Sequence, residues 1–446
     1  MTTKKVMWLG LLALGLGATV QAAPLPVIPG AAGFGITTPA GRGGKVFKVT
    51  TLSDAGTGSL RSCIEASGPR VCVFEVSGVI KLGKDLRISN PYITIAGQTA
   101  PSPGITLQGG TLRIYSTHDV LVQHIAIRVG DSVDGSAPIN RDAVDIAGSG
   151  GSYNIVLDHV SMSWALDELM AIWTGSQNIT VRNSIFSEAL DEHQFAYTTG
   201  NIGKGPIIGP DTNNIFMSGN LLAHNAERNP RSKSNGLVFA NNVVYDYANK
   251  AVDIGEGSRS SKYAIVGNVF EYGPSTSRRT PISIRSNLSS GVQIFVNDNQ
   301  AGGSVARDGW SIVNNGASFD PKVTSAPIWP SNYTAMPASQ VMQYVQANAG
   351  ARPADRDVVD ARIIQQLKNR TGRIIDSPNQ VGGWPKLANN TRRLTLPQSP
   401  NGDDNGNGYT NLEEWLHAFA REVEGGASVP MPPEAPKNLR VDVIRD

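Results

Sequence analysis

Between residues 93 and 300, short runs of β-branched and other apolar residues alternate with Asn, Gly and Ser, and the runs repeat. Asn154-Ile155-Val156-Leu157, Asn178-Ile179-Thr180-Val181, Asn214-Ile215-Phe216-Met217 and Gly236-Leu237-Val238-Phe239 align without gaps. Their starts are 24, 36 and 22 residues apart, so one repeat carries an extra loop. A period in the low twenties, one supersecondary unit each, is the pattern of a solenoid. Apolar strands this short suit a parallel β-helix, in which each coil hydrogen-bonds to the next. An amide recurs in step with the repeat, at Asn220, Asn242 and Asn268. Stacked at one corner, these side chains would bond to each other and to turn backbone. Asn is also an ordinary turn residue, but agreement with the strand period favours a ladder.

The texture changes after about residue 305. Ala338 to Ala349 and Arg356 to Leu367 carry apolar residues at helical spacing. Near the N-terminus, Ser59 to Ser67 reads as a short helix and Arg70 to Val76 as a strand. The fold class is all-β, a parallel β-helix with short helices in its C-terminal part. The organisation expected is a leader at 1–22, the β-helix at 23–305, an extension packing on it at 306–426, and a proline-rich tail at 427–446.

Composition narrows the function. Gly is 48 of 446 residues and charged residues are 17%, which excludes a disordered polyelectrolyte and fits a turn-rich body. Lys4 and Lys5, the apolar run Val6 to Val20 and Val20-Gln21-Ala22 form an export signal. Cleavage after Ala22 removes two lysines and no acid, so a formal charge of +2 becomes zero. Such a protein is not built to coat nucleic acid, and no later stretch is long enough to span a membrane. The expected product is a secreted monomer, extracellular or periplasmic. Export favours a disulfide between Cys63 and Cys72 over two buried thiols.

Three constellations carry chemistry. Arg228-Asn229-Pro230-Arg231-Ser232-Lys233 puts three cations in six residues, with Lys204 upstream in the long loop. Asp142 and Asp145 fall on one coil and Asp167 and Glu168 on the next. Coils stack ~4.8 Å apart, so these acids could share a cation. Asp158-His159 precedes Trp164 and reads as a buried pair bracing the turn beneath the site.

These motifs resemble those of polysaccharide lyase family 1, the pectate lyases. Val156-Leu157-Asp158-His159, Ser163-Trp164-Ala165-Leu166-Asp167-Glu168 and Arg228-Asn229-Pro230-Arg231 occur in the family's order. The opening fits too, from Ala31-Ala32-Gly33-Phe34-Gly35 through Gly58-Ser59-Leu60-Arg61 to Phe74-Glu75-Val76-Ser77-Gly78, and the likeness runs from about residue 27 to about 420.

The resemblance implies a right-handed parallel β-helix that cleaves plant cell-wall polygalacturonate by β-elimination. It implies Arg228 as the base and Lys204, Arg231 and Lys233 as substrate-binding cations. It also implies catalytic calcium at Asp142, Asp167 and Glu168, with Asp145 a ligand or a turn cap. The family often carries a further acid four residues after Asp167, where this chain has Ala171.

Asp403-Asp404-Asn405-Gly406-Asn407-Gly408, followed by Glu414, fits the calcium-loop pattern D-x-[DN]-x-[DN]-G-x₅-E. Asp403, Asn405, Asn407, the Tyr409 carbonyl and Glu414 would ligate a structural Ca2+. Pro397 and Pro400 leave little room for an entering helix. Thr410 and Glu413 also form a capping box for a following helix. Competing readings are a pectin lyase, which needs no metal, a β-helix polygalacturonase, which needs two carboxylates, and a polysaccharide-binding β-helix without catalysis.

Overall fold

The computed structural model describes residues 25–132, 140–173, 175–195, 203–306 and 308–425. The expected leader and the proline-rich tail lie outside these residues. The aligned runs stack in register: Ile155 pairs with Ile179, Ile179 with Ile215, and Ile215 with Leu237, all in parallel. The sequence repeat is therefore the coil repeat. The longest step holds the loop between the Ile185–Ser187 and Lys204–Ile208 strands.

Among the described residues two sheets result, one of 18 strands and one of nine. In the nine-stranded sheet neighbours follow chain order, as a solenoid requires. The larger sheet holds two ladders fused at the eleven-residue strands His118–Arg128 and Tyr153–Ser163. These strands bend at His124 and His159, where φ is 56° and 53°. Later coils break into two strands at the same corner, at Asn183, Gly219, Asn241 and Gly267, all with positive φ. The corner needs a left-handed residue in every coil, which Gly and Asn supply at least cost. At Gly219 a Cβ would come 2.4 Å from Asn183 Oδ1, so the corner is crowded as well.

The result is three parallel faces around a core of stacked aliphatic side chains, Ile155, Ile179, Ile215 and Leu237 among them. The asparagine ladder is present one residue past the corner. Nδ2 of Asn220 donates to Oδ1 of Asn242 at 2.9 Å, Asn242 to Asn268 at 3.1 Å, and Asn268 to a fourth member, Asn299, at 3.0 Å. All four are fully buried, so each amide must find partners inside, and stacking provides them.

Helix α1 (Leu60–Glu65) is capped by Ser59 and followed by the Arg70–Phe74 strand, with Cys63 and Cys72 joined as a disulfide across a Cα separation of 6.0 Å. Helices α2 (Ala338–Asn348) and α3 (Val358–Asn369) lie within two residues of their expected bounds. Their Val341, Val345, Ile363 and Leu367 pack on Ile185, Leu221 and Val243 of the larger sheet. Helix α4 (Asn411–Glu424) begins at the Thr410–Glu413 capping box and packs Leu412 and Leu416 on Val71, Val73 and Ala96. Among the described residues, no helix is long and apolar enough to cross a membrane.

Candidate active site

The Val144–Ala147, Glu168–Ile172, Lys204–Ile208, Arg231–Ser232 and Val252–Ile254 strands lie side by side in the nine-stranded sheet. One row across them runs Asp145, Ala171, Ile207, Arg231, Asp253. Successive coils thus bring charged residues from distant parts of the chain onto one face.

Asp142, Asp167 and Glu168 each offer a carboxylate oxygen, and these oxygens lie within 4.8 Å of one another. Asp142 is held by the next coil, since the Glu168 N–H donates to its Oδ1 at 2.9 Å. Its burial pushes its pKa well above the usual carboxylate range, and repulsion from Asp167 and Asp145 adds to this. Asp145 stands outside the trio. It faces Arg113 at 3.6 Å, and burial raises its pKa too. The trio has the donor set of a hard cation, three carboxylates whose mutual repulsion a divalent ion would relieve.

Cations answer these acids. Arg228 donates through Nη1 to Glu168 Oε1, and Lys204 Nζ donates to Asp167 Oδ1. Arg228 has a φ of 63°, and its loop is pinned where the Asn229 N–H donates to the Ala251 carbonyl at 2.9 Å. A Cβ at Gly205 would lie 2.3 Å from the Arg228 carbonyl oxygen, so the glycine lets the Lys204 strand and the Arg228 loop close up. Burial lowers the pKa of Arg228, and the neighbouring Arg231 lowers it further.

Arg231 and Lys233 both reach Glu256, each at 3.0 Å. The Lys233 ammonium also lies 6.0 Å from the centre of the Trp173 ring. One coil on, Arg285 Nε donates to both oxygens of Asp253 at 2.8 and 3.0 Å. Sequence reasoning missed Trp173, Glu256, Asp253 and Arg285. The coil spacing was the available signal, because Arg231, Asp253 and Ser283 fall in one register row.

One sequence expectation lands elsewhere, while the 403–414 segment lacks an entering helix, as expected. Asp158 and His159 sit at the bend of the larger sheet, where His159 faces Glu424 of α4, and not under the acidic trio. The 403–414 segment leads into α4 without an entering helix, and its side chains converge on Glu414. Asn405 and Asn407 donate to Glu414 Oε1 at 2.6 and 2.8 Å. Asp403 accepts from the Asn407 and Gly408 N–H groups at 3.1 and 2.9 Å. The Tyr409 N–H donates to Asn407 Oδ1 at 2.9 Å.

No family model matches the chain. Curated relatives do. It is 33% identical over 431 residues to a probable pectate lyase C of Aspergillus fumigatus, covering 92% of this chain and 97% of that one. The same protein of Neosartorya fischeri is 33% identical over 429 residues with the same coverage. Among solved structures, the major allergen of cedar pollen aligns with a TM-score of 0.53 at 22% identity, over 72% of this chain and 92% of its own. A pectate lyase bound to a hexasaccharide aligns with a TM-score of 0.53 at 15% identity, over 75% and 100%. The structural likenesses carry the β-helix fold, and identity along nearly the whole length of the fungal relatives carries the family: the chain belongs to the pectate lyases of polysaccharide lyase family 1, lyases that act on a polysaccharide.

Proposed function

We propose that this protein is a secreted pectate lyase that cleaves polygalacturonate by β-elimination, using calcium held by Asp142, Asp167 and Glu168 and taking the C5 proton with Arg228. The single observation that carries this reading is the convergence of those three carboxylates within 4.8 Å, with Arg228 paired directly onto one of them. The proton at C5 stands beside a carboxylate whose charge opposes carbanion formation. Bound calcium would supply positive charge where the negative charge develops.

The chain's own residues do the rest. Lys204, Arg231 and Lys233 bind galacturonate carboxylates and set the sugar against the sheet. Arg228 accepts the C5 proton at its guanidine nitrogen, and its burial beside Arg231 favours the neutral form this needs. The C4 oxygen departs and leaves an unsaturated sugar. Ala171 occupies the position of the family's further acid, and Glu168 replaces it as third carboxylate. The 403–414 loop binds a second, structural calcium through Asp403, Asn405, Asn407, the Tyr409 carbonyl and Glu414. The test is an ultraviolet assay on polygalacturonate with and without chelator. Absorbance from a new double bond, abolished by chelator and restored by calcium, supports the reading. Cleavage without that absorbance would indicate a hydrolase, and elimination in excess chelator a metal-free lyase.

A further inference from the structure

The row Asp145, Ala171, Ile207, Arg231, Asp253 has a companion two residues further along each strand. It runs Ala147, Trp173, Gly209, Lys233, Gly255, Arg285. The ladder continues into it, since the Trp173, Gly209 and Lys233 N–H groups donate to the Ile146, Ile172 and Ile208 carbonyls at 2.8, 2.7 and 2.8 Å. Side chains two apart on a strand share a face, and Ile172, between Ala171 and Trp173, points into the core. The companion row therefore lines the same outer face as the groove residues.

Its members alternate in size. Trp173, Lys233 and Arg285 stand on every second coil, with Ala147, Gly209 and Gly255 on the coils between. The large side chains lie down over the small ones. A Cβ at Gly209 would come 2.2 Å from Trp173 Cε3, and one at Gly255 would come 2.7 Å from Arg285 Cδ. The indole is thus spread over the backbone of the next coil, and only glycine there leaves it room.

This tryptophan is unlike the others. Trp164, Trp310, Trp329, Trp384 and Trp415 all pack on hydrophobic clusters. Trp173, among the described residues, packs on none of them and is half-buried on a polar face. From two coils on, the Lys233 ammonium leans back to within 6.0 Å of the ring centre. A ring that serves no core, laid flat beside a cation, has the form of a platform for an amphipathic ligand.

We propose that Trp173 and Lys233 form one subsite of the groove, in which the indole stacks on the C–H face of a galacturonate ring while the ammonium holds that sugar's carboxylate. The proposal rests on the pectate lyase reading above and adds to it the residue that fixes the sugar's plane. Stacking is indifferent to the charge of the sugar, so the two residues contribute by separable physics.

The test uses the full-length protein and hexagalacturonate. Binding is measured by calorimetry in calcium on an Arg228→Lys background, so that it needs no turnover, and KM is measured separately on protein that keeps Arg228. Trp173→Ala should weaken binding and raise KM by roughly tenfold, with the loss falling on KM more than on kcat. Trp173→Phe should recover most of it. Gly209→Ala keeps the indole but displaces it, and should weaken binding in the same way. The ratio of wild-type to Trp173→Ala affinity should hold between low and high ionic strength, whereas the ratio for Lys233→Gln should shrink as salt screens the ion pair. A folded Trp173→Ala protein with unchanged binding and KM, or a loss that salt abolishes and phenylalanine does not recover, overturns the proposal. If Trp173→Ala does not fold, Gly209→Ala protein that binds hexagalacturonate like the wild type overturns it instead. Wild-type protein that binds hexagalacturonate yet yields no unsaturated product contradicts the elimination reading alone, because the binding measurements still read the subsite.

Discussion

Arg228 donates through Nη1 to Oε1 of Glu168, so the proposed base is ion-paired to one of the three carboxylates proposed to hold calcium. Lys204 is paired in the same way onto Asp167. Acids and cations thus neutralise each other along the groove. A divalent ion bound at the trio would compete for the same oxygens, and the two groups it would release are those proposed to meet the substrate.

The calcium requirement should therefore depend on Glu168. Glu168→Gln keeps the shape of the side chain but removes a charged ligand. It should raise the calcium concentration for half-maximal rate by roughly tenfold or more. The check is a calcium titration of initial rates at saturating polygalacturonate. An unchanged titration would take Glu168 out of the metal site.

Burial and Arg231 both lower the pKa of Arg228, so the neutral fraction, and with it the rate, should climb as pH rises through the alkaline range. Arg231→Gln removes a neighbouring cation, which lets the Arg228 pKa rise. The neutral fraction at any given pH then falls, and the rising limb of the kcat profile should move to higher pH. This displacement is separate from the weaker substrate binding also expected. A limb that stays in place would mean that Arg231 acts on substrate alone.

Asn242 lies mid-ladder, donating to the carbonyls of Met217 and Ala240 and to Asn268 while accepting from Asn220. Asn242→Ala breaks these bonds and strands the buried Asn220 N–H, which also donates to Asn242 Oδ1 at 3.1 Å, at about 1–3 kcal/mol for a stranded group. Denaturant unfolding should show the loss, with activity per folded molecule unchanged.

Much of this was legible in the sequence. The apolar runs that follow Asn154, Asn178, Asn214 and Gly236 pair in the structure as they align in the chain, because each coil repeats one hydrogen-bonding problem with similar residues. Asp142, Asp167 and Glu168 could be grouped because adjacent coils are close in sequence as well as in space. A turn was expected at Asp158-His159, but the matching bend at His124 was not, because only the register of the two eleven-residue strands sets the two histidines side by side. Glu424 was missed for a different reason. It comes from a helix that packs back on the β-helix across most of the chain, and no local pattern encodes that return. The same holds for Arg285 and Glu256, which join the groove only once the register is known.

If the 403–414 loop binds calcium, Asp403→Ala should lower the melting temperature at high calcium and leave kcat unchanged, since a ligand that binds only the folded state stabilises it by mass action. Asp167→Ala, a change in the groove, should instead remove activity. Melting curves across a calcium titration for the wild type and both variants separate the sites. An Asp403→Ala protein that melts like wild type at every calcium level would make the loop a polar turn.

The most direct test of the account is the rate of unsaturated-product formation from polygalacturonate by Arg228→Lys in saturating calcium. Lysine keeps the charge but lacks the fork that can hold a carboxylate and reach C5 together. The account predicts no product above background from a protein that melts like the wild type. A rate near that of the wild type would contradict it and remove Arg228 from the chemistry.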